Sequence, residues 1–163
     1  MAALISNNLG FLALTFLPPI LWLLFYLRED RHPEPKRILI LVFLGGMASA
    51  LLALAAECAW IFTLSGSCGA GIGPNINPTF LFLGIALIEE YVKYLPVKYL
   101  VLRRCQTHQV CNLDEPVDAM IYMMTAALGF AALENVLFQI PIFESGLAPS
   151  IEVAANRFLG ANL

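Results

Sequence analysis

Ionisable residues sit inside long apolar stretches, among them Glu89, Glu90 and Lys93 in one, Glu134 in a second and Arg157 in a third. An ionised side chain in mid-membrane costs about 2.5–3.5 kcal/mol on insertion scales, so such groups mark function more often than packing. Lys93 follows Glu89 by four residues and Glu90 by three, spacings that bring side chains together on a helix. One lysine against two adjacent acids leaves a carboxylate short of counter-charge. Such a carboxylate can take a proton from water as a general base. Phe130 precedes Glu134 by four residues, so its ring lies one helical turn from that carboxylate, where it excludes water. The structural alternative is an ion pair that only knits helices together, and the surplus acid argues against it.

These residues need a membrane scaffold, and the composition supplies one. The 163 residues are 60% hydrophobic and 13% charged, with a mean hydropathy of +0.77. Soluble domains lie nearer 45–50% apolar and about 25% charged. A soluble globular domain, a disordered chain and a nucleic-acid binder are excluded, and a net charge of −3 is too small to argue for a charged partner. Continuous rather than alternating apolar runs exclude a β-barrel. The expected fold is all-α: a polytopic transmembrane helix bundle forming a single domain over residues 1–163. Its spans fall at residues 9–27, 38–62, 80–102 and 116–142, and a fifth begins at 151 and is incomplete at 163.

The connecting segments set the orientation. Residues 28–37 carry Arg28, Arg31, Lys36 and Arg37, and the third connection carries Arg103 and Arg104 with Lys98 beside it, whereas the second and fourth hold no Lys or Arg. This alternation places the N-terminus outside and the basic connections in the cytoplasm, as in the cytoplasmic membrane of a bacterium. The N-terminus has no basic region ahead of its apolar run, so a retained helix is expected rather than a cleaved signal peptide. Counted from the non-basic ends, Glu89, Glu134, Arg157 and Glu57 lie roughly 13, 12, 9 and 8 Å deep at 1.5 Å per residue, which is one layer. Glu57, nearest the interface, is expected to reach water.

Other residues read as structure. Asp118 caps the fourth helix or pairs with Arg103 or Arg104. Met120, Met123 and Met124 read as packing, and Gly45 and Gly46 with Ala48, Ser49 and Ala50 as close helix contact. The four cysteines do not form an expected disulfide framework: Cys58 falls in a span, Cys68 outside, Cys105 and Cys111 inside. Cys105, His108 and Cys111 match no usual zinc spacing.

Two motifs resemble a known family. Glu89-Glu90-Tyr91-Val92-Lys93 resembles the EExxK motif of the PrsW-type intramembrane proteases, and Phe130-Ala-Ala-Leu-Glu134, within 128–135, resembles their FxxxE motif. Residues 114–118 and 28–35 are similar to the same family, which is related to the CAAX-prenyl endopeptidases and bacteriocin-immunity proteins. The resemblance implies an intramembrane endopeptidase acting on a membrane-anchored substrate of the anti-sigma-factor kind. Glu89 and Glu90 would be the acid/base pair, Glu134 the second catalytic or ligand position, and Lys93 the charge partner. Family members also carry a histidine on the helix that starts here near residue 151. None follows Arg157, so a chain truncated at its C-terminus is expected. A divalent metal such as zinc is the cofactor the family's metalloprotease description implies, and no histidine in the spans supports it. Arg157, Asn135 or that missing histidine would stabilise the oxyanion. The competing reading is a proton- or ion-coupled transporter using the same Glu/Lys cluster. A third is a scaffold whose polar cluster only holds the bundle.

Overall fold

A computed structural model describes residues 2–29, 34–68, 76–106, 113, 115–143 and 147–160. All regular structure among them is helical, as the composition predicts. Helix α1 covers Ala2–Glu29, α2 Lys36–Ser65 and α3 Pro78–Val97. The chain continues from α3 through a π-helical turn, Lys98–Leu102, into the short α4, Arg103–Gln106. Helix α5 covers Pro116–Phe143 and α6 Leu147–Gly160.

The helix ends follow from local chemistry. Gly66 at φ 77° closes α2, its N–H donating to the Phe62 carbonyl, a left-handed position that favours glycine. Asn77 opens α3 by accepting the Thr79 N–H at 2.9 Å, with Pro78 in the first turn. Asp118 accepts the Glu115 N–H at 2.7 Å across the start of α5. That is the capping role expected of it.

Three helices are long and apolar enough to cross a membrane, over Gly10–Arg28, Lys36–Ser65 and Pro116–Ile142. Helix α3 is a 20-residue helix that carries Glu89, Glu90 and Lys93 within it. Helix α5 is the centre of the bundle and packs against α1, α2, α3 and α6. Small residues let it approach α2: a Cβ at Gly46 would overlap the Ala126 carbonyl, and one at Gly129 would overlap that of Phe43. The two contacts are reciprocal, the device by which membrane helices gain van der Waals contact without a hydrophobic driving force. The outward faces remain apolar, with Leu51, Leu52, Leu87 and Ile140 exposed, as a lipid solvent permits.

Helix α1 runs through Pro18 and Pro19 unbroken. Pro19 has no N–H, so the Thr15 carbonyl lacks its intrahelical partner. The buried Asn135 of α5 supplies one, donating to Thr15 O at 3.2 Å.

Two expectations are corrected. Met120 is 67% exposed and Met123 is exposed too, so neither is core packing. Their side of α5 faces outward. Cys58 and Cys68 form a disulfide, with Cα atoms 5.2 Å apart, and Cys105 is also disulfide-bonded. Cys58 lies near the end of α2, and the turn at Gly66 folds residue 68 back over it. His108 and Cys111 lie outside the described residues.

Candidate active site

Helices α2, α3 and α5 enclose a cavity of 270 Å³ lined by Glu57, Glu89 and Glu134 together with Phe130, Ala50, Ala53 and Leu54. Its floor is apolar. Phe130 is 2% exposed and packs with Ala50, Ala53 and Val92. The carboxylates above that floor are half-buried, with Glu89 29% and Glu134 28% exposed at the side chain.

Each of the three expected acids is held by a cation that itself rests on an aromatic ring. Lys93 Nζ donates to Glu89 Oε2 at 3.2 Å and to Glu90 Oε1 at 2.9 Å. It lies 4.7 Å from the centroid of the Phe130 ring. Arg157 donates to Glu134 Oε2 at 3.0 Å, and its Nε donates to Asn135 Oδ1. Its guanidinium carbon lies 4.4 Å from the Phe138 centroid. Cation–π contact of this kind is strongest where water is scarce. The two motifs therefore meet: the phenylalanine of the second supports the lysine of the first.

Helix α6 delivers Arg157. Trp22 of α1 donates its indole N–H to the Phe158 carbonyl at 3.1 Å, and Gln139 of α5 donates to the Ser150 carbonyl at 3.0 Å. Both bonds tie side chains to the α6 backbone and fix where its arginine points. Asn135 then couples Arg157 to α1, since its amide accepts from the guanidinium and donates to the Thr15 carbonyl left free by Pro19.

Of the residues expected at the site, Glu89, Glu134 and Phe130 line the cavity, and Lys93 and Arg157 bind its acids. Glu90 shares Lys93, but its side chain is 74% exposed and it does not line the cavity. A single lysine reaches both acids because the i+3 and i+4 positions flank it on one face. Glu57, expected at the shallow edge of the same layer, lines the same cavity. It has no hydrogen-bond or ion-pair partner among the described residues. Counting helical rise gave its depth, and only the packing of α2 gave its direction. Asn135 stands directly after the FxxxE glutamate, and the sequence signal for its role was the proline pair in α1.

The described residues contain no group of three or more His, Cys, Asp or Glu placed to hold a metal ion. The cavity acids Glu89 and Glu134 accept hydrogen bonds from cations instead. The two histidines of the sequence, His32 and His108, lie outside the described residues.

Residues 34–162 match the PrsW family of intramembrane metalloproteases. Protease PrsW of Geobacillus kaustophilus strain HTA426 is 30% identical over 135 residues, which cover 83% of this chain and 51% of that protein. The chain thus spans about half the length of the curated relative it matches. No solved structure matches it. A match over most of the chain, with both motifs at one cavity, places the chain in the PrsW family of intramembrane proteases.

Proposed function

We propose that this chain carries the catalytic acids of an intramembrane endopeptidase that hydrolyses peptide bonds of membrane-anchored proteins, with an anti-sigma-factor-like protein as its substrate class. The reading places the protein in a bacterial cytoplasmic membrane with the N-terminus outside and α3 crossing the bilayer. The observation that carries it is the meeting of Glu57, Glu89 and Glu134, from three helices, at one cavity with an apolar floor.

The chemistry follows from the partners. Glu89, oriented by Lys93, takes a proton from water, and the resulting hydroxide attacks the scissile carbonyl carbon. The tetrahedral oxyanion collapses, the C–N bond breaks, and the proton that Glu89 took from water passes to the leaving amine by way of a second carboxylate of the cavity. Glu134 is fixed for that second role by Arg157, and Glu57 lies on the same cavity as a further proton carrier. The guanidinium of Arg157 uses two N–H donors on Glu134 and Asn135. Its positive charge favours the oxyanion. Lys93 and Arg157 hold their acids aimed, which lowers the reorganisation needed at the moment of reaction. The described residues do not supply the donor set of a metal ion.

The test is Glu89→Gln in the membrane-embedded protein, with a membrane-anchored anti-sigma-type substrate and cleavage followed on gels. Loss of at least about a hundredfold in rate is expected for removal of a general base. Unchanged cleavage would overturn the proposal. Proton uptake into liposomes that depends on Glu89, with no cleavage by the parent protein, would replace it with the carrier reading.

A further inference from the structure

The second feature of α3 lies at its far end. A recess of 290 Å³ is lined by Tyr94, Lys98, Tyr99, Leu102 and Arg103. Two of these five residues are cations, two carry phenol hydroxyls, and none is an acid. The backbone explains how the cations come together. The Arg103 N–H donates to the Lys98 carbonyl, a five-residue step. On a regular α-helix, residues five apart point about 140° away from each other. A π turn adds a residue to the loop of the hydrogen bond and stacks those two positions instead. Such turns are rare and recur at functional sites. Here the widened turn places Lys98 and Arg103 on one recess.

The two lysines of α3 have opposite surroundings. Lys93 is bound by two carboxylates. Lys98 is half-buried, lies 5.7 Å from the centroid of the Tyr99 ring, and has no acidic partner among the described residues. Arg103 has an interaction of its own and contributes as a second positive centre, not as a free one. The recess is also at the basic end of the bundle. Val97 and Val101 pack with Leu39 and Val42 and against Leu27, so Arg28, Lys36 and Arg37 stand at the same level. Leu102 gives the recess an apolar wall, and the two tyrosines are the side chains that favour the headgroup level of a bilayer.

We propose that this recess binds the phosphate headgroup of an anionic phospholipid in the leaflet at the basic end of the bundle. The site rests on the reading of α3 as a membrane crossing. A phosphodiester supplies the anion that Lys98 lacks. The tyrosine hydroxyls donate to its oxygens, and its glycerol and acyl portion continues along Leu102 and the exposed outer face of Tyr99. Basic pockets on the cytoplasmic side of membrane helices bind anionic headgroups by the same chemistry.

The experiment uses the delipidated protein in neutral detergent, titrated with dioleoyl-phosphatidylglycerol, with dioleoyl-phosphatidylcholine and with inorganic phosphate, and read by native mass spectrometry. One phosphatidylglycerol per chain is expected to bind ahead of phosphatidylcholine. Lys98→Gln should weaken it about fivefold, and Lys98→Arg should leave it near the parent value. Equal binding of the two lipids, equal binding by the parent and Lys98→Gln, or preference for free phosphate over lipid would each overturn the site. A Leu87→Cys variant, challenged in vesicles with a membrane-impermeant maleimide, reports separately on α3. Protection supports the crossing on which the site rests, and rapid labelling overturns it. No arm involves cleavage, so these outcomes are independent of the Glu89→Gln test.

Discussion

Two polar clusters hang on α5, one near each end, and they are built to opposite rules. At the basic end, Tyr122 is 0% exposed, Asp118 1% and Glu34 6%. The Tyr122 hydroxyl donates to the Glu34 carboxylate, and Asp118 accepts the Glu115 N–H. At the other end, Glu89 and Glu134 are half-buried around a cavity, each with a cation at one oxygen. The acids of the first cluster are almost wholly buried and hold the chain before α2 and the start of α5 in place. The second keeps carboxylate surface open to a space large enough for water and a peptide group. Cost alone, which made every intramembrane charge suspect, does not separate them. Access does: an acid that is closed off by its partners is structural, and one that is oriented by a partner yet still faces a cavity can do chemistry.

That contrast can be broken by mutation, beginning with its largest consequence. Glu134→Gln should lower cleavage about a hundredfold or more while the unfolding midpoint in mixed detergent micelles stays near the parent value. A matching loss of stability would make Glu134 another structural acid. Tyr122→Phe should do the reverse. It removes a hydrogen bond to a buried carboxylate and should cost about 2 kcal/mol in the same unfolding assay. Cleavage per folded molecule should be unchanged. Asn135→Ala falls between the two classes, because Asn135 orients Arg157 and also completes α1 at Pro19. A fall in turnover of about tenfold with KM unchanged is expected from misplacement of a charge by a fraction of an ångström. If Pro19→Ala gives α1 its missing N–H, combining it with Asn135→Ala should recover stability but not turnover. Asp118→Ala should show the smallest effect, about 1 kcal/mol for a lost helix cap, with no kinetic change.

Part of this contrast was legible before any coordinates. The FxxxE and EExxK spacings brought Phe130, Glu134, Glu89 and Lys93 forward, and counting rise from the helix ends put Glu57, Glu134 and Arg157 in one layer. Helix bounds were close, since the apolar stretch at 116–142 became Pro116–Phe143. What spacing did not show was the turn of one helix relative to another. Glu57 was placed at the shallow edge of that layer because its depth was known and its direction was not. Glu90 ranked equal to Glu89 because their sequence context is the same, yet the bundle turns Glu89 to the cavity and leaves Glu90 74% exposed. The methionines at 120 and 123 were read as packing, when the same rotation of α5 that buries Tyr122 turns them outward. The Cys58–Cys68 disulfide was missed because it depends on a left-handed turn at Gly66 that folds the chain back on α2.

The sequence alone determined that this chain is helical, that apolar solvent surrounds it, and which acids lie too deep to be ordinary. Each of those is set by local quantities: transfer free energy per residue, 1.5 Å of rise and 100° of turn. Tertiary structure alone decided which acids share a cavity, which cation each receives, and where Asn135 and the widened turn at Lys98 make their contacts. Those outcomes depend on the rotation and approach of whole helices. Reciprocal glycine contacts such as Gly46 on Ala126 and Gly129 on Phe43 fix that approach, and no window of neighbouring residues contains both sides of them.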